Sequence, residues 1–197
     1  MPVPIVYRTG GDPVVQFSWI EFASNTGYVA FQGGSSEANG GAQTYWLATS
    51  NPAGAPQLSS TGWADIDFDF TFKRPMTAQA ADALVTFTTN INNGAQGQVT
   101  VKLYHVRGAV ETQLGATFVC ENHNNAGANN RAYRNCATIT PTAEQVFKVG
   151  DKIRVNVTEA NNVGLYHDPS NGAIAAGTDN DVGAGTQFIL NMPFKIT

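Results

Sequence analysis

Along ADIDFDFTF, residues 64–72, apolar and polar side chains alternate without a break. Ile66, Phe68, Phe70 and Phe72 fall on one face and Asp65, Asp67, Asp69 and Thr71 on the other, the period of a strand with one buried side. DKIRVNVTE (151–159) repeats the pattern, with Ile153, Val155 and Val157 opposite Lys152, Arg154 and Asn156. TQFILNMPFKI (186–196) puts Phe188, Leu190, Met192, Phe194 and Ile196 on one face. Further strands are predicted over 14–22, 43–49, 83–90, 98–106, 113–120 and 131–140, about nine in all.

The joints are QGGSSEANGGA, SNPAGAP, INNGAQG, NHNNAGANN and SNGAIAAGTDNDVGAG, where glycine, proline and asparagine favour turns. Only MTAQAADA (76–83), which follows Pro75 and offers Thr77 as a cap, predicts a short helical turn. ITPTAEQVFKVGD (139–151) reads as a strand end and a turn, Gly150-Asp151 leading into the next strand. Half-buried strands without crossover helices predict an all-β fold: an antiparallel β-sandwich, Greek-key or jelly-roll-like, with a less regular N-terminal segment. The expected organisation is an N-terminal arm over 1–13 and one sandwich domain over 14–197.

Charge removes several classes of partner. Only 13% of the 197 residues are charged, the net charge is -4, and the 11 lysines and arginines are scattered. That is no footprint for direct nucleic-acid binding. No apolar run approaches the roughly 20 residues of a membrane helix. The opening MPVPIVYRTGGDP lacks the basic-then-apolar order of a signal peptide, so neither membrane insertion nor export is expected. Cys120 and Cys136 enclose ENHNNAGANNRAYRN. Hairpin pairing of the flanking strands would bring the two together, as a disulfide or as reduced thiols; both stay open.

GLYHDPSNG (164–172) is the most reactive-looking stretch. His167 and Asp168 are neighbours, so in extended chain they point to opposite sides. Pro169 holds Asp168 extended and opens a turn, so Tyr166, His167, Asp168 and Pro169 read as a structural strand end. His105, His123 and His167 are too dispersed for a zinc site. The row Asp65-Asp67-Asp69 spaces its carboxylates about 6.6 Å apart along a strand, too far for one calcium ion. It reads as a solvated or intersubunit face that discourages wrong strand pairing. Asp179 and Asp181, in a glycine-flanked loop, are the better calcium candidates, although no metal or organic cofactor is expected.

Catalytic residues do not stand out. There is no GxSxG elbow, Cys120 has His123 near it only in sequence, and nothing selects a carboxylate pair from Glu21, Glu111, Glu144 and Glu159. Trp19, Trp46, Trp63, Tyr28, Tyr45, Tyr104 and Tyr133 could form an aromatic sugar platform, but large rings within strand patterns more often fill a core. The sequon Asn156-Val157-Thr158 lies in a predicted strand.

DKIRVNV (151–157), GLYHDPSN (164–171) and FILNMPFKI (188–196) together resemble small β-sandwich structural proteins of tailed bacteriophages. The shared order is a charged-and-aliphatic strand, an aromatic-His-Asp-Pro turn, a small-residue loop and a last strand ending Pro-Phe-Lys-Ile. The resemblance implies a non-enzymatic virion protein on the capsid surface. Such a protein decorates or cements the shell by binding the major capsid protein and itself, commonly as a homotrimer. The N-terminal arm is then a docking element, stiffened by proline, with Pro2, Pro4, Tyr7 and Arg8 as interface residues. The alternative is a carbohydrate-binding or host-adhesion domain of a phage tail or cell surface.

Overall fold

The structure, a computed structural model, describes residues 14–25, 28–35, 44–48, 65–91, 94–126, 130–160, 163–166, 178–180 and 188–195. These hold sixteen strands: β1 (Val14–Asn25), β2 (Tyr28–Ser35), β3 (Thr44–Ala48), β4 (Asp65–Thr71), β5 (Met76–Ala78), β6 (Ala83–Ile91), β7 (Gln96–Arg107) and β8 (Val110–Gln113). They continue with β9 (Phe118–Val119), β10 (His123–Asn124), β11 (Asn130–Ile139), β12 (Gln145–Phe147), β13 (Lys152–Ala160), β14 (Val163–Tyr166), β15 (Thr178–Asn180) and β16 (Phe188–Lys195).

The larger sheet runs β15-β11-β6-β16-β1-β2-β3, with β14 on β6 and with β5 joining β16 to β12. The smaller runs β10-β7-β13-β4, with β8 and β9 also on β7. Pairing is antiparallel throughout, apart from the parallel pair β11–β15. The chain passes repeatedly between the sheets, which makes the antiparallel β-sandwich predicted from the alternation.

The inward faces match the pattern that predicted them. Phe68, Ile153, Val155, Val157, Phe188, Leu190, Met192 and Phe194 are all fully buried, and Phe70 and Phe72 nearly so. Rings from both sheets interleave. Phe68 of the smaller sheet stacks on Phe188 of the larger with centroids 3.8 Å apart, and Phe72 stacks on Phe147 at 4.4 Å. Trp19 meets both Phe68 and Phe188 edge-on. Its indole Nε1 donates to the main-chain oxygen of Asp69 at 2.6 Å, giving a carbonyl of the sheet's end strand β4 a partner. Each well-placed aromatic pair contributes about 0.5–1.5 kcal/mol beyond the area it buries.

The departures lie where local sequence is weakest. The expected helical turn after Pro75 is instead strand β5, whose Thr77 and Ala78 pair with Lys195 and Phe194 of β16. Sheet hydrogen bonds and the full burial of Ala78 override a modest helical preference. The strand expected over 113–120 is interrupted between β8 and β9. Leu114 turns inward there, and Gly115 takes φ +77 with an added Cβ only 2.3 Å from the Thr140 carbonyl oxygen. Only glycine fits that backbone and that gap. Several stretches not read as strand form one: Tyr28–Ser35 is β2, which takes in Gln32–Ser35 of a predicted turn, His123–Asn124 is β10, Gln145–Phe147 is β12 and Thr178–Asn180 is β15.

Candidate functional site

The smaller sheet turns its polar face outward, and there the acidic row of β4 meets β13 in register, Asp67 beside Asn156 and Asp69 beside Arg154. Arg154 Nε donates to Asp69 Oδ1 at 2.6 Å and its Nη2 to Oδ2 at 2.8 Å, a two-pronged pair. Its Nη1 reaches Asp67 at 2.8 Å and also Glu111 of β8. Lys152 adds a third cationic contact to Asp69 at 3.2 Å, and Asn156 Nδ2 donates to Asp67 at 2.8 Å. Asp69 is only 5% exposed. Asp69 is therefore not solvated as the alternation led one to expect, while Asp67 beside it stays partly exposed; together they form one side of a cross-strand charge ladder. Asn156, the sequon asparagine, is buried within it.

A second cluster closes one end of the sandwich. Asp151, just before β13, is buried beneath three donors. Arg107 Nε lies 3.0 and 3.1 Å from its two oxygens, and Arg107 Nη2 is 2.7 Å from Oδ2. His105 Nε2 is 2.8 Å from Oδ2, so the imidazole carries its proton on that nitrogen, because an ionised carboxylate can only accept. The Lys148 amide donates to the same oxygen at 2.7 Å. Main-chain bonds fix the turn: Phe72 N to Asp151 O, and Gly150 N to Phe72 O, both at 2.9 Å. Asp151 thus ties β7, the turn after β12 and the end of β4 together. His105, itself 5% exposed and edge-on to Phe147, is held in place by it.

The Arg107 hydrogen bond holds the Asp151 carboxyl well below the ordinary carboxylate range; burial opposes it, and the Lys148 amide and His105 assist. A depressed folded pKa means that the charged form stabilises the fold above the unfolded carboxylate pKa of about 3.9, and that this contribution disappears as pH falls through the lower folded value. Asp151→Asn is expected to cost about 1–2 kcal/mol at neutral pH, a charged hydrogen bond discounted for the half-exposed arginine. The gap to wild type should shrink steadily below about pH 4. Urea titrations across pH check this, and a gap that is constant with pH would contradict it.

The predicted site residues are scattered. Tyr166 ends β14, its backbone paired with Thr88 of β6, while His167, Asp168 and Pro169 lie outside the described residues. So do Pro2, Pro4, Tyr7, Arg8 and Asp181. Asp179 stands in β15 opposite Arg131 of β11, within strand rather than open loop. No group of His, Cys, Asp and Glu among the described residues is arranged to hold a metal ion. No helix among them is long and apolar enough to cross a membrane.

Cys120 and Cys136 are free thiols, and their segments do not pair as a hairpin. Cys120 follows β9 and bonds through its amide to Val99 of the smaller sheet, whereas Cys136 stands opposite Thr86 in the larger. Burial, and secondarily the nearness of Cys136, push the Cys120 thiol up to about 12, which keeps it protonated and unreactive.

Trp19 is fully buried and cannot serve as a sugar platform. Tyr133 stacks on His123 at 4.1 Å and carries Arg131 over its ring, joining β11 to β10 across the two sheets. Sequence reasoning weighed His105 only as a zinc ligand and Asp151 only as a turn residue. The signal for their pairing was the position of each at the edge of a strong strand beside a glycine turn, Gly108 and Gly150.

No protein-family model and no curated protein matches the chain. Solved structures match it distantly. A CocE/NonD family hydrolase from Staphylococcus aureus is 10% identical with a TM-score of 0.44, over 93% of this chain and 37% of the hydrolase. An aminopeptidase from a marine-sediment Thaumarchaeota archaeon is 9% identical with a TM-score of 0.35, over 66% of this chain and 24% of the enzyme. Eiger TNF from S. frugiperda is 12% identical with a TM-score of 0.39, over 94% and 95% of the two chains. The chain spans well under two thirds of either enzyme, and likenesses this distant carry no inference about chemistry.

Proposed function

We propose that the chain is a non-enzymatic structural protein of a virion. It decorates or cements the capsid surface, binding the major capsid protein and itself, with a trimer as the favoured assembly. One observation supports this most: the buried charges described above are engaged with one another across strands. Asp69 and Asp67 hold Arg154, and Asp151 holds Arg107 and His105. These side chains tie a scaffold together instead of converging on a space for a reactant. The segments that resemble phage structural proteins supply β13, between β7 and β4, and β16, between β6 and β1. Both are central scaffold strands.

Co-sedimentation with intact shells of the encoding virus, beside a glycan panel, tests the reading. Saturable shell binding without glycan binding is expected. Specific glycan binding without shell binding would replace it with the adhesion reading.

A further inference from the structure

Four large apolar side chains are conspicuously exposed among the described residues: Val110 at 65%, Val119 at 55%, Val146 at 51% and Val149 at 64%. Three of them lie on the segments that meet near Arg107 and Asp151. Val110 is the strand partner of Arg107 across the β7–β8 hairpin. The Val146 carbonyl accepts from Arg107 Nη2 at 3.2 Å. Val149 sits in the turn that Asp151 closes with Lys148. Valines exposed singly are ordinary, but three on adjoining segments at one end are of the kind that marks an interaction surface.

The charges beside Val146 and Val149 that have no ion pair among the described residues are basic. Asp151 and Arg107 neutralise one another, Glu144 pairs with Lys195, and Glu111 shares Arg154 with Asp67 and Asp69. Arg107 is half exposed, and its Nη1 has no partner among the described residues. Lys148 is exposed in the same turn. Lys73 is exposed too, one residue beyond Phe72, whose carbonyl accepts from Gly150. Neither lysine has an ion pair among the described residues. A basic, apolar end on a chain of net charge -4 is complementary to an acidic, apolar partner. β8, which begins at Val110, pairs only with β7 among the described residues, and an extended chain could add to its other edge.

We infer that this end of the sandwich, centred on Arg107 and walled by Val110, Val146 and Val149, docks an extended acidic–apolar segment of a partner protein. Under the capsid reading, on which this identification of the partner rests, that segment belongs to the shell.

The probes are three heptapeptides: alternating Glu and Val, alternating Lys and Val, and alternating Glu and Ser. Each is titrated into the full chain by fluorescence anisotropy and backbone NMR. The Glu–Val peptide should bind, shift resonances of residues 107–111 and 146–150, and weaken with salt. The other two should bind about tenfold more weakly or worse, and so should the Glu–Val peptide to Val149→Asp or Lys148→Glu. Both changes are at exposed turn positions, and unchanged circular dichroism confirms the fold. Equal binding of all three peptides, indifference to both variants, or shifts confined elsewhere would overturn the inference. So would self-association in sedimentation that Val149→Asp abolishes, because the occupant would then be a second copy. Shell binding by variants that no longer bind peptide rejects this surface but keeps the capsid reading. Peptide binding at this end without shell docking does the reverse.

Discussion

Phe70→Asp is expected to leave the chain without a cooperative unfolding transition. Phe70 is 2% exposed and lies edge-on to Phe17 at 4.9 Å and to Phe72 at 5.6 Å, so its ring joins the two sheets. Deleting a buried phenylalanine costs about 3–5 kcal/mol through lost transfer energy and the cavity left behind. A carboxylate placed there meets no cation among the described core residues, which adds several kcal/mol more or forces the group to stay protonated. The sum approaches the roughly 5–15 kcal/mol of a whole domain. Near-ultraviolet circular dichroism and a urea titration decide it. A native-like melt within about 1 kcal/mol of wild type would mean that the sheets do not pack through this ring.

Arg154→Met is the second large effect. Arg154 is 18% exposed, and it gives Asp69 two of its three cationic contacts. Without it Asp69 keeps only Lys152, and Asp67 is left beside it with its Asn156 bond. Removing one partner of a buried pair costs about 3–5 kcal/mol, and the position at the rim of the sheet lowers this to about 2–4. Asp69→Asn in the same chain should recover part of the loss, since it removes the stranded charge. A double-mutant cycle should give a coupling above about 1 kcal/mol. A total loss within about 0.5 kcal/mol would show an ordinary exposed pair.

The strong strands were legible because their alternation is set by burial, which acts on each residue separately. Phe68 and Phe70, Ile153 to Val157 and Phe188 to Phe194 needed no knowledge of their partners. β5 and β15 were not legible, because they exist by pairing, β5 with β16 and β12 and β15 with β11, and their own residues carry no alternation. The charge ladder was half legible. The acidic row of β4 and the cationic row of β13 both stood out, but the register that sets Asp69 opposite Arg154 comes from tertiary pairing. The Asp151 cluster was hidden for the same reason: His105 and Arg107 lie more than forty residues away from it in sequence. Cys120 and Cys136 were expected to meet across a hairpin; they come near one another from different sheets instead, because β9 joins β7 and β11 joins β6.

The most direct measurement is a cryo-electron-microscopy map of shells from the encoding virus, assembled with and without the protein. The capsid reading predicts added density the size of one sandwich per copy on the outer surface, clustered about local threefold positions. Shells that look the same with and without saturating protein would contradict it.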